Sequence, residues 1–451
     1  MRKRISAFFS VLAAIVLLTV PASAASSGST LKIICADAGQ VIFTPPGSTQ
    51  YAYRYGPAIL IDGDRIDIWA SAPPLVSNGV RYGNDSIEYI RSTDGGKTWT
   101  EWKTVLYPTL NSEDQWSTCD PGAFKYGDYY YVGYTGSPEF RTNPDKEKQV
   151  NNLFIARAKN PEGPYEKWNG NGWGGDPYAI TRYSGDGVGC SMPSFTVKGD
   201  TLYMYYVDQT HPDQDWNSEG NISVSTFSLK DPNWPGNELS NKMCENKPEE
   251  VRYCPDIDKF IGFQLKGGWD YDSYVEIYES TDGVNFTKTS SFRNNFPHYA
   301  HNIGISGNNL GQLDLSIQNY IGTAYTPTGV EAWWGHWHTQ LIPLYIREER
   351  PSSTTSSQPS VSTDSSSQKP TTSSVGSTDG ESSETEVSEP QNSNIESTVS
   401  DNKDKDKEVN NKTEQQEETS YLWLYIVIGA VVVLAGAGTA VYFLVIKKKH
   451  V

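Results

Sequence analysis

Four stretches of the chain share one pattern: a run in which apolar and small residues alternate, a tight polar turn, and a second run crowded with aromatic side chains. They are PAILIDGDRIDIWAS from position 57, PGAFKYGDYYYVGYT from 121, PSFTVKGDTLYMYYV from 193 and HNIGISGNNLGQLDLSIQ from 301. A fifth, EVRYCPDIDKFIGFQL from 250, turns over Asp256 to Lys259. Two-residue alternation broken by Gly, Asp and Asn reads as β-hairpins, and no long stretch keeps the 3.6-residue period of an amphipathic helix. A polar loop and a second strand pair follow each hairpin, as in DSIEYIRSTDGGKTWTEW, NLFIARAKNPEGPYEKW, NISVSTFSLKDPNW and YDSYVEIYESTDGVNFTK; the last unit ends in HWHTQLIPLYI. Five units of four antiparallel strands predict an all-β chain, a five-bladed β-propeller over residues 28–348. A β-sandwich with irregular hairpins is the competing arrangement.

Strands in a blade run alternately up and down. The connection from third to fourth strand therefore lies on the face opposite the entrance to each innermost strand. STDGGKTW at 92–99 and STDGVNFT at 280–287 occupy that connection. Asp94 is expected to accept backbone N–H groups within its turn, Gly96 to take a positive φ, and Trp99 to fill the seam between sheets. Both turns read as structural in spite of their carboxylates.

Chemistry is expected at the other rim. Counting back from the hairpin turns brings Tyr53 to Gly56, Asp120, Met192, Glu249 or Glu250, and Ala300 or His301 to one central funnel. Loops after the second strands add Glu139, Asp208, Asp270 and Asp272. Two carboxylates from separate blades suit glycosidic cleavage, in which one takes a proton from water and the other gives one to the departing oxygen. Tyr53, Trp269, Trp333 and Trp334 are candidate platforms for the apolar face of a sugar ring, and His301 a ligand contact. Each has a plainer reading: Asp120 before a proline as a loop cap, Glu250 as a solvated loop residue, His301 as a satisfied histidine near the axis, and most tryptophans as packing.

CDPGAFKYGDYYYVGYTGS (119–137), MPSFTVKGDTLYMYYV (192–207) and AKNPEGPYEKW (158–168) resemble the five-bladed propellers of the arabinanase, levansucrase and invertase group, glycoside hydrolase family 43 in particular. The resemblance covers most of residues 50–345 and implies Asp120 as general base and Glu250, two blades on, as general acid. The family's intermediate Asp falls on Ser194, so Asp186 or Asp208 would have to substitute from a neighbouring loop. The 92–99 turn is similar to the Asp-box of sialidases. YRYGPAIL at 53–60 resembles the sialidase arginine motif with one additional residue, which would make Arg54 a substrate contact and leaves an exo-sialidase as an alternative. Ser194 where an acid is expected keeps a second class open, a propeller that binds glycan without cutting it.

The ends of the chain bear on compartment. Arg2 to Arg4, an apolar run from Ala7 to Val20 and Ala22-Ser23-Ala24 read as a signal peptide over residues 1–24. Residues 351–420 are almost all Ser, Thr, Glu, Asp, Asn, Gln and Lys, a composition expected of a disordered stalk. Tyr421 to Ile446 is uncharged and long enough to cross a bilayer as a helix, and the 447–451 tail is basic, as cytoplasmic flanks are. A single-pass cell-membrane protein with an extracellular, monomeric propeller is expected. The formal net charge of −17 argues against nucleic-acid partners and favours neutral or cationic ligands. Five cysteines in no zinc-site spacing read as buried structural residues. No cofactor or metal cluster is signalled, and a structural Ca²⁺ on the propeller axis stays open.

Overall fold

The computed structural model describes residues 28–46, 52–143, 146–182, 188–210, 220–327 and 336–350. The segments expected to be signal peptide, stalk, membrane span and basic tail lie outside the described residues, as do Asp186, Trp333 and Trp334. Among the described residues there is no helix.

Two strands, β1 (Thr30–Cys35) and β2 (Gln40–Phe43), precede the first hairpin. Blade one starts with β3 (Tyr55–Asp62) and β4 (Arg65–Ala72), inserts a small hairpin of β5 (Leu75–Ser77) and β6 (Val80–Tyr82), and continues with β7 (Ser86–Ser92) and β8 (Lys103–Leu106). Blade two has the same plan: β9 (Ser117–Tyr126), β10 (Tyr129–Ser137), an inserted hairpin of β11 (Phe140–Asn143) and β12 (Lys146–Gln149), then β13 (Asn152–Ala158) and β14 (Glu166–Lys167). Blade three is β15 (Gly189–Lys198), β16 (Thr201–Gln209), β17 (Asn221–Ser228) and β18 (Glu238–Met243). Blade four is β19 (Glu250–Cys254), β20 (Lys259–Lys266), β21 (Tyr274–Ser280) and β22 (Thr287–Phe292). Blade five has only β23 (Ala300–Gly307), β24 (Asn319–Tyr325) and β25 (His338–Glu349) from its own stretch of chain. Its outer strand is β1, paired antiparallel from Thr30↔Glu349 to Cys35↔Leu344.

The innermost strands touch in the order β3, β9, β15, β19, β23, and β23 returns to β3 through a short parallel pairing of Ser306 with Ile59 and Gly307 with Leu60. The ring is closed, and the fourth strand that the last repeat lacks comes from the N-terminal segment.

Five of the hydrophobic clusters each fill one seam between blades, and a sixth, of Tyr53, Tyr55, Cys119, Ala324 and Trp337, lies where blades one, two and five meet. Along β3, Leu60 joins Trp69, Tyr130 and Phe154 in the seam to blade two, whereas Ile59 and Ile61 join Ile68 and Leu341 in the seam to blade five. Successive strand residues point to opposite sheet faces, so a sheet sandwiched between two neighbours must be apolar on both. That is why the inner strands are buried along nearly their whole length. All five cysteines are free and buried, in keeping with a packing role.

The duplicated turns lie on the face away from the inner-strand entrances, since Gly95 N–H bonds to the Asp64 carbonyl in the β3–β4 turn at 2.9 Å. Asp94 Oδ1 accepts the amides of Lys97 (3.1 Å) and Thr98 (2.9 Å), and its Oδ2 accepts the Thr98 hydroxyl at 2.6 Å. Gly96 has φ 86°, and Trp99 packs on the seam between blades one and five. Asp282 repeats the arrangement with Val284, Asn285 and Ser280. Led by the Thr98 hydroxyl and amide, these donors hold the Asp94 carboxyl at about 2. A depressed carboxyl pKa stabilises the fold above its ordinary value near 4, and that contribution fades as pH falls towards 2. Asp94→Asn should therefore lower the melting temperature at neutral pH, with the difference shrinking in acid.

Candidate active site

Four inner strands carry a β-bulge near their entrance, where register slips between Tyr55 and Ala58, Cys119 and Gly122, Ser191 and Ser194, and His301 and Ile303. Each slip holds one residue in the left-handed region: Gly56 (φ 57°), Asp120 (48°), Met192 (57°) and Asn302 (56°). Pro57, Pro121 and Pro193 follow three of them, consistent with a point where the ladder loses a donor. A bulge releases a side chain from strict alternation and re-aims it. Here the bulges converge: Asn302 Nδ2 donates to Asp120 Oδ1 at 3.2 Å, and a Cβ on Gly56 would lie 3.5 Å from both groups. Blades five, one and two meet at one spot.

Asp120 is tightly placed. Its N–H donates to Ser71 Oγ at 2.7 Å, and its Oδ2 accepts the Cys119 thiol at 3.4 Å. Burial pushes its carboxyl up to about 6; the Cys119 contact opposes this and the nearby Asp85 carboxylate adds to it. Its side-chain contacts with Asn302 and Cys119 bring no cation to it.

Glu250 differs. Its Oε2 accepts Arg252 Nη2 at 2.8 Å, the Ser194 hydroxyl at 3.2 Å and the Ile305 N–H at 3.5 Å. Arg252 is anchored in turn, through Nε (3.0 Å) and Nη2 (2.6 Å) to the Ile305 carbonyl and through Nη1 to Ser194 Oγ at 2.7 Å. Burial raises the Glu250 pKa and Arg252 opposes the rise. Asp120 and Glu250 both border β23, at Asn302 and Ile305; three residues of extended chain span at most about 10 Å.

The remaining expected residues divide. His301 lies at the mouth between Trp269 (ring centroids 4.4 Å), Trp337 (4.6 Å) and Tyr55 (5.4 Å), and burial lowers its pKa to about 3, so the ring is neutral at ordinary pH. Trp269 is 40 % exposed and can present a ring to a ligand. Tyr53 cannot: it is fully buried, and its hydroxyl donates to Asp85 at 2.5 Å. Arg54 also falls outside the funnel. It pairs with Glu88 at 2.5 Å, and its guanidinium lies over Phe43 and Trp102 in the seam of blades one and five. Its charge is spent on holding the ring closed, which removes the residue on which the exo-sialidase alternative rested. Asp208 accepts Ser223 Oγ (3.1 Å) and the Thr210 N–H (3.2 Å) within its own blade, and no contact joins it to Asp120 or Glu250 among the described residues. Glu249 is turned to the Leu265 amide, 2.7 Å away, while Glu139, Asp270 and Asp272 are exposed.

Counting along the inner strands missed Asp85. It enters β7 and is buried, accepting Tyr53, Ser117 Oγ (2.8 Å) and Asn84 Nδ2 (3.1 Å), with its pKa raised by burial. Only its place before a third strand, in GNDSIEY, could have drawn attention to it. Arg252, within EVRYC, was hidden by its position inside an apolar strand. Among the described residues no group of three or more His, Cys, Asp or Glu is placed to hold a metal ion.

No family model and no curated protein matches the chain. Among solved structures it is similar to an α-L-arabinofuranosidase from Podospora anserina, determined with cellotriose, at 10 % identity over 71 % of this chain and 98 % of that one (TM-score 0.44). A family 117 glycoside hydrolase of Zobellia galactanivorans is similar at 15 % identity over 71 % and 91 % of the two chains (TM-score 0.45). A thermostable family-43 glycoside hydrolase is similar at 12 % identity over 68 % and 96 % (TM-score 0.46). These likenesses are too distant to carry a functional argument, which rests on the site itself.

Proposed function

We propose that the propeller is a glycoside hydrolase acting on a neutral glycan in the axial funnel, displayed at the cell surface by the 421–446 span. The observation that carries the reading is the bulge ring, which presents Asp120, with its carboxyl at about 6, beside Asn302 and the Gly56 backbone. A group that titrates near the working pH suits proton transfer.

The environments of the two carboxylates favour roles opposite to those the family resemblance implies. Protonating Glu250 would leave the Arg252 charge buried without its partner, which is costly. On this reading Glu250, which has the Arg252 cation beside it, serves as the base, and Asp120, with no cation among its side-chain contacts, is the proton donor. The reaction on this reading inverts the anomeric carbon, which requires carboxyl groups about 6.5–9.5 Å apart with a water between them, and a retained product seen by proton NMR would reject it.

A second reading has its own support. Glu250 Oε2 is occupied by three donors, and Ser194 stands where the resemblance expects an acid, so the funnel could hold glycan without cleaving it. A panel of arabino-, xylo-, cello- and fructo-oligosaccharides, assayed for both cleavage and binding, separates the two. For the hydrolase, kcat/KM should fall as pH rises through about 6, because the donor loses its proton. A fall as pH drops through 6 would make Asp120 the base, and binding with no turnover of any substrate would establish the second reading.

A further inference from the structure

Radially outside the mouth, the loop from β22 to β23 and the end of β24 border a cleft of about 310 Å³ whose walls include Phe296, Pro297, His298, Tyr325, Thr326 and Gln340. Both elements are inner-strand entrances or second-strand exits, so the cleft opens on the funnel face. Its volume is at the lower end for small-molecule sites. The walls combine apolar rings with amide, imidazole and hydroxyl groups, and none of the lining residues is Asp, Glu, Lys or Arg. Thr326 is 5 % exposed, and its Oγ1 has no hydrogen-bond partner among the described residues. A buried hydroxyl left unpaired costs about 1–3 kcal/mol, so an incoming polar group gains by meeting it.

Aromatic side chains stand both at the mouth and beside this cleft. Trp269 packs on His301 at the funnel; two residues on, Tyr271 is 58 % exposed and stacks on His298 with centroids 3.8 Å apart. Two exposed rings, Trp269 near the mouth and Tyr271 beside the cleft, suit a chain of neutral sugars, and Arg293 holds the His298 ring from behind.

We propose that the cleft is an outer subsite for a neutral sugar unit, with Thr326 as its hydrogen-bond anchor and Tyr271 and His298 as the approach, so that the ligand is an extended oligosaccharide or polysaccharide. This rests on the reading of the funnel as a glycan site. The test is calorimetric titration of the Asp120→Asn protein, which does not consume its ligand, with arabino- and xylo-oligosaccharides from disaccharide to hexasaccharide. Affinity should rise with length until the outer unit reaches the cleft. Thr326→Val, close to isosteric, should remove about three- to tenfold of the long-chain affinity, and His298→Ala should act in the same direction if the valine variant misfolds. Long chains that bind no tighter than disaccharides, or unchanged long-chain affinity in both variants, would overturn the subsite even if the wild type cleaves short glycosides. If no neutral glycan is bound or cleaved at all, the funnel reading falls and takes the subsite with it.

Discussion

Asp120→Asn should lower kcat by about 10²- to 10⁴-fold, the range by which a positioned proton-transfer group accelerates such reactions, with glycan affinity altered by no more than a few-fold. Asparagine tolerates the left-handed backbone nearly as well as aspartate, and its amide can still meet Asn302, so the bulge should survive. Stability should move the other way from activity. A buried carboxyl raised to about 6 destabilises the fold at neutral pH by an amount on the order of 2–3 kcal/mol. That penalty is absent below the ordinary carboxylate value near 4, grows between 4 and 6, and is complete above 6. The variant should consequently melt higher than the wild type at pH 7 and equally near pH 4. Loss of turnover together with a lower melting temperature at pH 7 would instead mean that Asp120 holds the bulge together and does no chemistry.

Arg252→Met should be the most destabilising single change in the axis. Removing one partner of a buried pair costs about 3–5 kcal/mol, and here it would also free the Ile305 carbonyl and the Ser194 hydroxyl. The cost falls on Glu250, whose charge would be left without compensation. The loss should shrink as pH falls, because a protonated Glu250 needs no counter-charge, and Glu250→Gln in the same chain should recover a substantial part of it. Chemical denaturation of the single and double variants at two pH values would measure both effects. A double variant no more stable than Arg252→Met alone would show that the guanidinium matters through Ile305 and Ser194 and not through Glu250.

The strand pattern of this chain is legible because it obeys local rules. Alternating apolar residues, Gly-Asp turns and repeated spacing are properties of neighbouring residues, and they yield four hairpins whose turns lie where the structure has them; in the last repeat the run LDLSIQ belongs to the connection, and the second strand begins only at Asn319. Asp94 and Gly96 belong to the same class: their partners are within four residues, so the turn and the face on which it lies follow from sequence order. The positions at the funnel mouth could likewise be counted back from the turns, to within the one residue that each bulge inserts. Asn302 fell inside that uncertainty, one residue beyond His301.

What escaped depends on partners distant in the chain. Tyr53 and Arg54 stand beside the first inner strand and look exposed on paper, yet Asp85 captures one and Glu88 the other. Whether a carboxylate faces water, a cation or another carboxylate is decided by which strands the ring sets side by side; hence Asp120 and Glu250, alike as acidic residues at strand entrances, have opposite surroundings. The pairing of β1 with β25 is of the same kind, joining Thr30 to Glu349 across nearly the whole propeller. The sequence by itself determined the strands, the turns and the number of blades, because hydrogen bonding and burial along a strand are local and periodic. Only the tertiary structure decided how the ring closes and which acid has no cation beside it, because burial and charge at a point depend on every chain segment packed around it.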